Sequence, residues 1–326
     1  MSPTAKASVI VVSYNTREIL RACLERLFAV TQDIPLEVIV VDNASRDGSA
    51  DMVETAFPQV ILQRSDINLG FAAANNVGFR IATGDTILLL NPDALIEPGA
   101  VQRSLAYMAA DPRIGMGGGL LLDKEGKWQP SARQFPSLLN EFLVLSGLAA
   151  RFPKSRFFGR FDRTWDDSQH AVEVDWVPGA FTLIRRSALE AVGYFDERFF
   201  LYYEEVDLCR RFREAGWSIW YWPDAVIRHW GGESSKTVEN QAFSSSGSQL
   251  TLWRMRSQLL YYRKHHGWLT TRLVAGLERG WHRLRAWRAG RNAQAAKAGE
   301  SKRISDLMGR AWQETVAGDV SPPRPW

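Results

Sequence analysis

The sequence has little cysteine and no long hydrophobic run, and both absences restrict its class. Cys23 and Cys209 are the only cysteines, and they form no metal-ligand or redox spacing, so a reducing cytoplasm is the simplest compartment. No stretch approaches the roughly twenty apolar residues of a membrane-spanning helix. Residues 1–8 are polar and the apolar run behind them is short, which predicts no signal peptide. We therefore expect a soluble or peripheral protein.

Other patterns are missing as well. No Gly-x-Gly-x-x-Gly follows the first predicted strand, which argues against a dinucleotide-dependent oxidoreductase. The sequence contains no internal repeat and no recognised nucleic-acid-binding module, and we expect no nucleic acid partner. Its 326 residues suffice for one large α/β domain or for a domain with an appendage.

Positive charge is concentrated near the end of the chain. Residues 253–297 hold eleven Lys or Arg against one acid, Glu278, for a net charge of +10. The remaining residues hold 29 basic and 35 acidic side chains, a net charge of −6. Five apolar residues of this tail share one helical stripe edged by arginines: Leu273, Leu277, Trp281, Leu284 and Trp287. An acidic body with a basic, Trp-rich tail favours an anionic membrane surface as partner, and the alternative is a tail helix packed on its own domain.

Hydrophobic patterning predicts an α/β fold with a mostly parallel sheet flanked by helices. Buried-strand runs at 8–12, 36–41, 60–62 and 86–90 alternate with helical segments that begin near 16, 49 and 71. Asp42 and Asp93 each follow one of these strands, so both acids are expected on the same rim of the sheet. Residues 128–165 lack a clean period, which predicts a mobile insertion. The predicted divisions are a domain at 1–232, a Ser/Thr-rich linker at 233–250, a helical extension at 251–316 and disorder at 317–326.

Acidic residues and one histidine are the candidates for chemistry. Asp42 can accept a hydrogen bond from the N3–H of uracil or thymine, although turn or cap chemistry is the alternative. Asp93 can hold Mg²⁺ or Mn²⁺ on a diphosphate, although Asn-Pro-Asp is also a good turn. Glu204 and Glu205 lie among aromatic residues, where a raised pKa suits a general base. His229 is a metal ligand or a satisfied core histidine.

Taken in chain order, these motifs resemble the family 2 inverting glycosyltransferases of the GT-A fold, most closely their bacterial rhamnosyltransferase-like branch. The resemblance spans residues 8–232, with a donor half at about 1–115 and an acceptor half at about 116–232, to which the 128–165 insertion belongs. It rests on segments 12–15, 41–49, 68–78, 90–93, 178–180, 193–200, 204–208 and 229–232.

The resemblance implies roles for matching residues. It implies a nucleotide-sugar donor site of Ser13, Asn15, Asp42, Asn68, Gly70, Asn75 and Asn91. It implies that Asp93 and His229 hold a divalent metal, Mg²⁺ or Mn²⁺. The family usually has Glu-Asp where this chain has Glu204-Glu205, which makes Glu205 the expected base and Glu204 the alternative.

The implied activity is metal-dependent, inverting transfer of a sugar to a hydroxyl of a cell-surface polysaccharide or lipid-linked glycan. The donor is a dTDP- or UDP-sugar, with rhamnose from dTDP-rhamnose as one candidate. We expect a peripheral enzyme on the cytoplasmic face of the plasma membrane, whose tail, from Trp253 onward, is dispensable for donor binding. The alternative function is a catalytically inactive nucleotide-sugar-binding scaffold. The sequence leaves the sugar, base, acceptor and oligomeric state open.

Overall fold

The structure, a computed structural model, describes residues 7–166, 169–230 and 248–324. Over these residues ten strands form a single sheet. They are β1 (Ala7–Ser13), β2 (Leu36–Asp42), β3 (Ile61–Arg64), β4 (Thr86–Leu90), β5 (Ala94–Ile96), β6 (Ile114–Leu122), β7 (Trp128–Gln129), β8 (Val172–Glu173), β9 (Phe181–Arg185) and β10 (Ser218–His229).

The sheet is mixed rather than mostly parallel. Its main order is β3-β2-β1-β4-β9-β6-β10-β5, and the four strands from β3 to β4 are parallel as predicted. Strand β9 then runs antiparallel to both of its neighbours, β4 and β6. The error has a simple cause, because a buried apolar run marks a strand without marking its direction. The α/β class itself is confirmed.

Helices cover both faces of the sheet and bury two apolar cores. Ile10 of β1 belongs to one core, whereas its neighbours Val9 and Val11 belong to the other, because successive side chains of a strand point to opposite faces. The helices are α1 (Arg17–Val30), α2 (Ser49–Ala56), α3 (Phe71–Ile81), α4 (Ala100–Ala110), α5 (Leu138–Leu145), α6 (Leu148–Arg151), α7 (Arg186–Val192), α8 (Glu204–Glu214), α9 (Ser248–Arg291) and α10 (Ala295–Glu314).

The segment 128–165 contains regular structure that its sequence pattern did not reveal. It holds β7, α5 and α6. Helix α5 reads LLNEFLVL, so apolar residues occur all round it and no helical period stands out. Ser137 begins this helix, and its side chain accepts a hydrogen bond from the backbone N–H of Asn140. The expected irregular insertion therefore contains one short strand and two short helices, separated by irregular stretches.

The C-terminal tail folds back on itself. Helix α9 is interrupted at Gly267 (φ 78°), and Arg254 on one side of this turn pairs with Glu278 on the other at 2.8 Å. In a straight helix these residues would lie about 36 Å apart, so the two halves of α9 form a hairpin. Side chains of both halves pack with α10 in a separate apolar cluster that includes Leu259, Ala275 and Met308.

The described end of the chain, where the sequence predicted disorder at 317–326, contacts α9 at one point. The backbone N–H of Val320 donates to the Thr315 carbonyl, and Gly318 lies close to the Leu259 carbonyl of α9. The predicted linker at 233–250 lies mostly outside the described residues. Along the parts of the chain that the structure covers, none of the helices has the length and apolar character needed to cross a bilayer.

Candidate active site

A cavity of about 330 Å³ lies beyond the carboxyl ends of β1 and β4. One wall is polar and is formed by Asn43, Asn68, Asn91, Asp93 and His229. The opposite wall is largely apolar and includes Phe71, Phe200, Leu201, Tyr202, Leu250 and Trp253. Ligands of open α/β sheets bind in crevices at this edge. The polar wall brings together five residues that are far apart in sequence.

Asp93 and His229 face each other on this wall. The Nε2 atom of His229 lies 3.4 Å from Oδ1 of Asp93, and strand β5, which follows Asp93, pairs with the end of β10. Gln129 of β7 contacts the same histidine twice: its Nε2 donates to the His229 carbonyl at 3.0 Å, and its Oε1 lies 2.8 Å from Nδ1. Because Gln129 Nε2 donates to the His229 carbonyl, its Oε1 faces Nδ1 and accepts a hydrogen bond from Nδ1–H, which leaves Nε2 as the nitrogen that faces Asp93.

These donor atoms fit a divalent metal held jointly with a ligand. A carboxylate and an imidazole nitrogen are suitable ligands for Mn²⁺ or Mg²⁺, and a bound diphosphate and water supply the rest of the coordination sphere. Within the described ranges there is no group of three or more His, Cys, Asp or Glu side chains able to hold a metal without such help. Asp93 and His229 therefore form a partial metal site rather than a closed one.

Asp42 is buried beside the cavity with an unused acceptor. One carboxylate oxygen accepts from the backbone N–H of Ser45 at 3.0 Å, and the other has no hydrogen-bond partner among the described residues. Burial raises the pKa of Asp42, and the hydrogen bonds from Ser45 offset part of that effect. Asp47 instead accepts from the backbone N–H groups of Arg17 and Ser49, so its carboxylate holds the turn that leads into α2.

Asn68 and Gly70 shape the loop that enters α3. The Asn68 side-chain oxygen accepts from the Gly70 N–H and from the side chain of Asn43, both at 2.9 Å. Gly70 has a φ of 82°, and a Cβ at this position would collide with the carbonyl and ring of Phe200. Only glycine permits this close approach, which places the loop against the apolar wall of the cavity.

Four predicted donor-site residues lie outside the cavity lining: Asp42, described above, and Ser13, Asn15 and Asn75, whose side chains make local hydrogen bonds. Asn75 is buried and donates to the Phe71 carbonyl within its own helix. The Ser13 hydroxyl pairs with that of Thr16. Asn15 (φ 53°) accepts from Arg46 N–H and so joins the loops after β1 and β2. Their side chains support the positions of the residues that do line the cavity.

Glu204 and Glu205 begin α8 directly after a strained turn. Tyr202 and Tyr203 both have positive φ values, 70° and 69°, a conformation that costs about 1–3 kcal/mol per non-glycine residue and recurs at active sites. Each glutamate has one carboxylate oxygen that is buried without a partner in the described part of the chain. Burial raises the pKa of both, and for Glu204 the charge of Glu205 adds to the increase. This environment suits a general base.

The tail helix α9 completes the site, a role that the sequence did not indicate. The Trp253 ring stacks on Phe200 with centroids 4.3 Å apart, and both line the cavity. Farther along α9, His265 and Lys264 each lie 2.7 Å from the fully buried carboxylate of Asp207 in α8. The basic composition of the tail concealed these contacts, because a charged side chain at the surface and one that neutralises a buried acid look alike in a sequence.

Comparisons with known proteins agree with this geometry. The sequence profile of Glycosyl transferase family 2 matches residues 8–193. An N-acetylglucosaminyl-diphospho-decaprenol L-rhamnosyltransferase of Mycobacterium tuberculosis (strain CDC 1551 / Oshkosh) is 31% identical over 273 residues, covering 80% of this chain and 85% of that protein. Rhamnosyltransferase WbbL of Escherichia coli (strain K12) is 26% identical over 271 residues, covering 78% and 91%.

Solved structures share the architecture. The mannosyltransferase PcManGT from Pyrobaculum calidifontis, in complex with GDP-Man and Mn²⁺, matches with a TM-score of 0.54 at 17% identity over 98% of this chain and 89% of that chain. GalNAc-T7 with UDP, GalNAc and Mn²⁺ matches with a TM-score of 0.56 at 13% identity over 99% and 59%. These likenesses show the GT-A fold. The chain belongs to glycosyl transferase family 2 and is a glycosyltransferase of its rhamnosyltransferase-like branch.

Proposed function

We propose that this enzyme inverts the anomeric centre as it transfers a sugar from a dTDP- or UDP-sugar to a hydroxyl of a lipid-linked glycan. The observation that carries the proposal is the meeting of Asp93 and His229 in one cavity with the loop of Asn68 and Gly70. The relatives named above are rhamnosyltransferases, one of them named for a diphospho-decaprenol substrate, which supports rhamnose and a lipid-linked acceptor.

The donor occupies the cavity with its base beside Asp42 and its diphosphate toward Asp93. The unpartnered oxygen of Asp42 accepts the N3–H of thymine or uracil, which is present in both bases. Asp93 and Nε2 of His229 hold Mg²⁺ or Mn²⁺, which when bound neutralises charge on the departing nucleoside diphosphate. Asn91, Asn68 and Gly70 line the space between them.

Glu205 is the base in this proposal. Its carboxylate takes the proton from the acceptor hydroxyl while that oxygen attacks the anomeric carbon, and the bond from that carbon to the diphosphate oxygen breaks on the opposite face. Glu205 is less buried than Glu204, and Arg133 lies close enough to favour its charged form. Glu204 is fully enclosed, which suits it to modulate its neighbour.

Membrane association at the cytoplasmic face is part of the proposal. In the tail, Leu273, Leu284 and Trp287 are exposed beside arginines, as an interfacial helix requires. Leu277 and Trp281 of the same stripe are half-buried, so the stripe serves packing as well. This surface brings the enzyme to anionic lipid, where a lipid-linked acceptor resides.

Isothermal titration with dTDP and UDP, each with Mn²⁺ and with EDTA, tests the donor site. Metal-dependent binding of either nucleotide is expected, and the tighter one identifies the base. Absence of binding by the folded protein contradicts the proposal.

Turnover by the parent protein and the Glu205→Gln variant then tests the base. We expect Glu205→Gln to retain nucleotide binding and to lose transfer by about 10²- to 10⁴-fold, since it keeps the shape but not the base. The inactive scaffold alternative requires that the parent protein also lacks transfer, so measurable turnover by the parent excludes it. If Glu205→Gln turns over at the parent rate and Glu204→Gln loses turnover, the base is Glu204.

A further inference from the structure

An exposed apolar surface lies on α5, α6 and the loop that follows them. Six large apolar side chains of this segment are more than a third exposed: Leu138 (37%), Leu139 (39%), Phe142 (40%), Val144 (48%), Phe152 (42%) and Phe157 (53%). The rings of Phe152 and Phe157 both pack against Phe158, at 5.1 and 5.2 Å between centroids. We call these six residues the α5–α6 surface. Apolar side chains grouped in this way mark an interaction site.

The exposed charged side chains of this segment are basic. Residues 138–162 contain four basic side chains, Arg151, Lys154, Arg156 and Arg160, and two half-buried acids, Glu141 and Asp162, which pair with Tyr262 and Arg133. The first three are exposed. Apolar residues interspersed with lysine and arginine are typical of segments that insert into the interface of a bilayer containing anionic lipid. A protein partner of ordinary mixed charge would have no need of this composition.

The α5–α6 surface is linked through α9 to the turn that precedes α8, the helix of Glu204 and Glu205. On the inner face of α5, the Glu141 carboxylate accepts from the hydroxyl of Tyr262 in α9 at 3.1 Å. Tyr261, its neighbour, packs on Tyr203 with ring centroids 5.5 Å apart, and Tyr203 directly precedes the glutamate pair. One side of α5 therefore packs on α9 close to the turn that precedes the glutamate pair, and its other side is exposed.

We propose that the α5–α6 surface docks the enzyme on an anionic lipid bilayer, with Leu138, Leu139, Phe142 and Val144 inserted among the acyl chains. Docking there places Glu205 next to the membrane, where the hydroxyl of a lipid-linked acceptor is presented. The functional role of this docking rests on the proposed lipid-linked acceptor. Binding of the enzyme to vesicles can be measured without any sugar transfer. It is distinct from the tail surface, because it lies on the acceptor half of the catalytic domain.

Co-sedimentation of the full chain with vesicles tests this surface. The vesicles contain phosphatidylcholine alone or phosphatidylcholine with phosphatidylglycerol. We expect the parent protein to bind the anionic vesicles, and Leu139→Ser/Phe142→Ser to bind them about tenfold less, because two apolar side chains no longer enter the bilayer. We expect Arg151→Gln/Lys154→Gln to lose most of the preference for phosphatidylglycerol.

Two control variants separate this surface from others. Ile61→Ser/Ile67→Ser removes apolar side chains of equal exposure, 40% and 45%, at the β3 edge, and should bind as the parent does. Leu284→Ser/Trp287→Ser removes the exposed tail residues. Circular dichroism and nucleotide titration establish that each variant is folded. Val144→Ser replaces Leu139→Ser/Phe142→Ser if that variant does not fold. Nucleotide titration and sugar transfer to a soluble acceptor need no membrane. They therefore test the proposed function independently of membrane docking.

Three outcomes would overturn the proposal. The first is that the parent protein binds neither type of vesicle. The second is that Leu139→Ser/Phe142→Ser binds as the parent does while Leu284→Ser/Trp287→Ser loses binding, which would assign membrane contact to the tail alone. The third is that sedimentation velocity shows a parent dimer that Leu139→Ser/Phe142→Ser converts to a monomer, which would assign the surface to a second copy of the chain. Loss of vesicle binding in Leu139→Ser/Phe142→Ser but not in Ile61→Ser/Ile67→Ser supports the proposal, whether or not the tail variant also loses binding.

Discussion

Gln129 and His229 are joined by two hydrogen bonds that together fix which nitrogen of the imidazole faces Asp93. Gln129→Leu removes both, so His229 can rotate and exchange its proton between nitrogens. We expect Mn²⁺ affinity in the presence of nucleoside diphosphate to fall about 10- to 100-fold, measured by electron paramagnetic resonance titration. Nitrogen-15 NMR of the imidazole should show loss of the Nδ1–H form.

The matched control for this variant is Gln102→Leu, since Gln102 is exposed on α4 and bonds only a backbone carbonyl. Unchanged Mn²⁺ affinity in Gln129→Leu would show that His229 is oriented by other contacts.

Glu204→Gln should stabilise the protein at neutral and alkaline pH. Burial and the Glu205 charge raise the pKa of Glu204, so the folded state favours its protonated form. The stability that Glu204 contributes is therefore present when the pH is below the pKa of this group in the unfolded chain. It is lost as the pH rises through the pKa of the group in the folded protein. We expect the variant and the parent to melt together near pH 4, and the variant to melt higher at pH 8. Exposed Glu25→Gln is the control, and a difference that is constant with pH would contradict the prediction.

Asp207→Ala should destabilise the fold by about 3–5 kcal/mol, because it leaves buried cations without their partner. Asp207 is fully buried and contacts Arg211, Lys264 and His265. Desolvation opposes the charge of Asp207, but the His265 hydrogen bond and the two cations outweigh it and hold the pKa below its ordinary value. The stability of this cluster is therefore lost as the pH falls through the folded pKa. Urea unfolding measures the effect, with exposed Asp33→Ala as control; a loss below 1 kcal/mol would be too small for a buried charge cluster.

Trp253→Ala should weaken nucleotide binding about tenfold, because the ring forms part of the cavity wall through its stack on Phe200. This replaces the expectation that the chain from Trp253 onward is dispensable for donor binding. Trp253→Phe keeps a stacking ring and should retain most of the affinity, measured by titration calorimetry. Trp287→Ala, in the same tail but 57% exposed, is the control. Equal affinity in all three variants would remove Trp253 from the site.

Local sequence patterns predicted part of this structure. The contacts that they missed were missed for a physical reason. The first four strands were predicted because each is a short apolar run between helical segments, and the meeting of Asp93 with His229 followed from family resemblance. Gln129 was not predicted, because it lies 100 positions from His229 and no local pattern marks a residue whose role depends on a distant strand pairing. The contacts of Lys264 and His265 with Asp207 were missed for the same reason, since composition records charge but not the partner of a charge.

The docking of α9 onto α8 has a consequence for the order in which the protein becomes functional. A ribosome makes the sheet, the metal-site residues and both glutamates before it makes Trp253, Lys264 and His265. Until those residues emerge, the Asp207 carboxylate lacks two of its three side-chain partners, and the cavity lacks part of its apolar lining. The site is therefore complete only once the tail has left the ribosome.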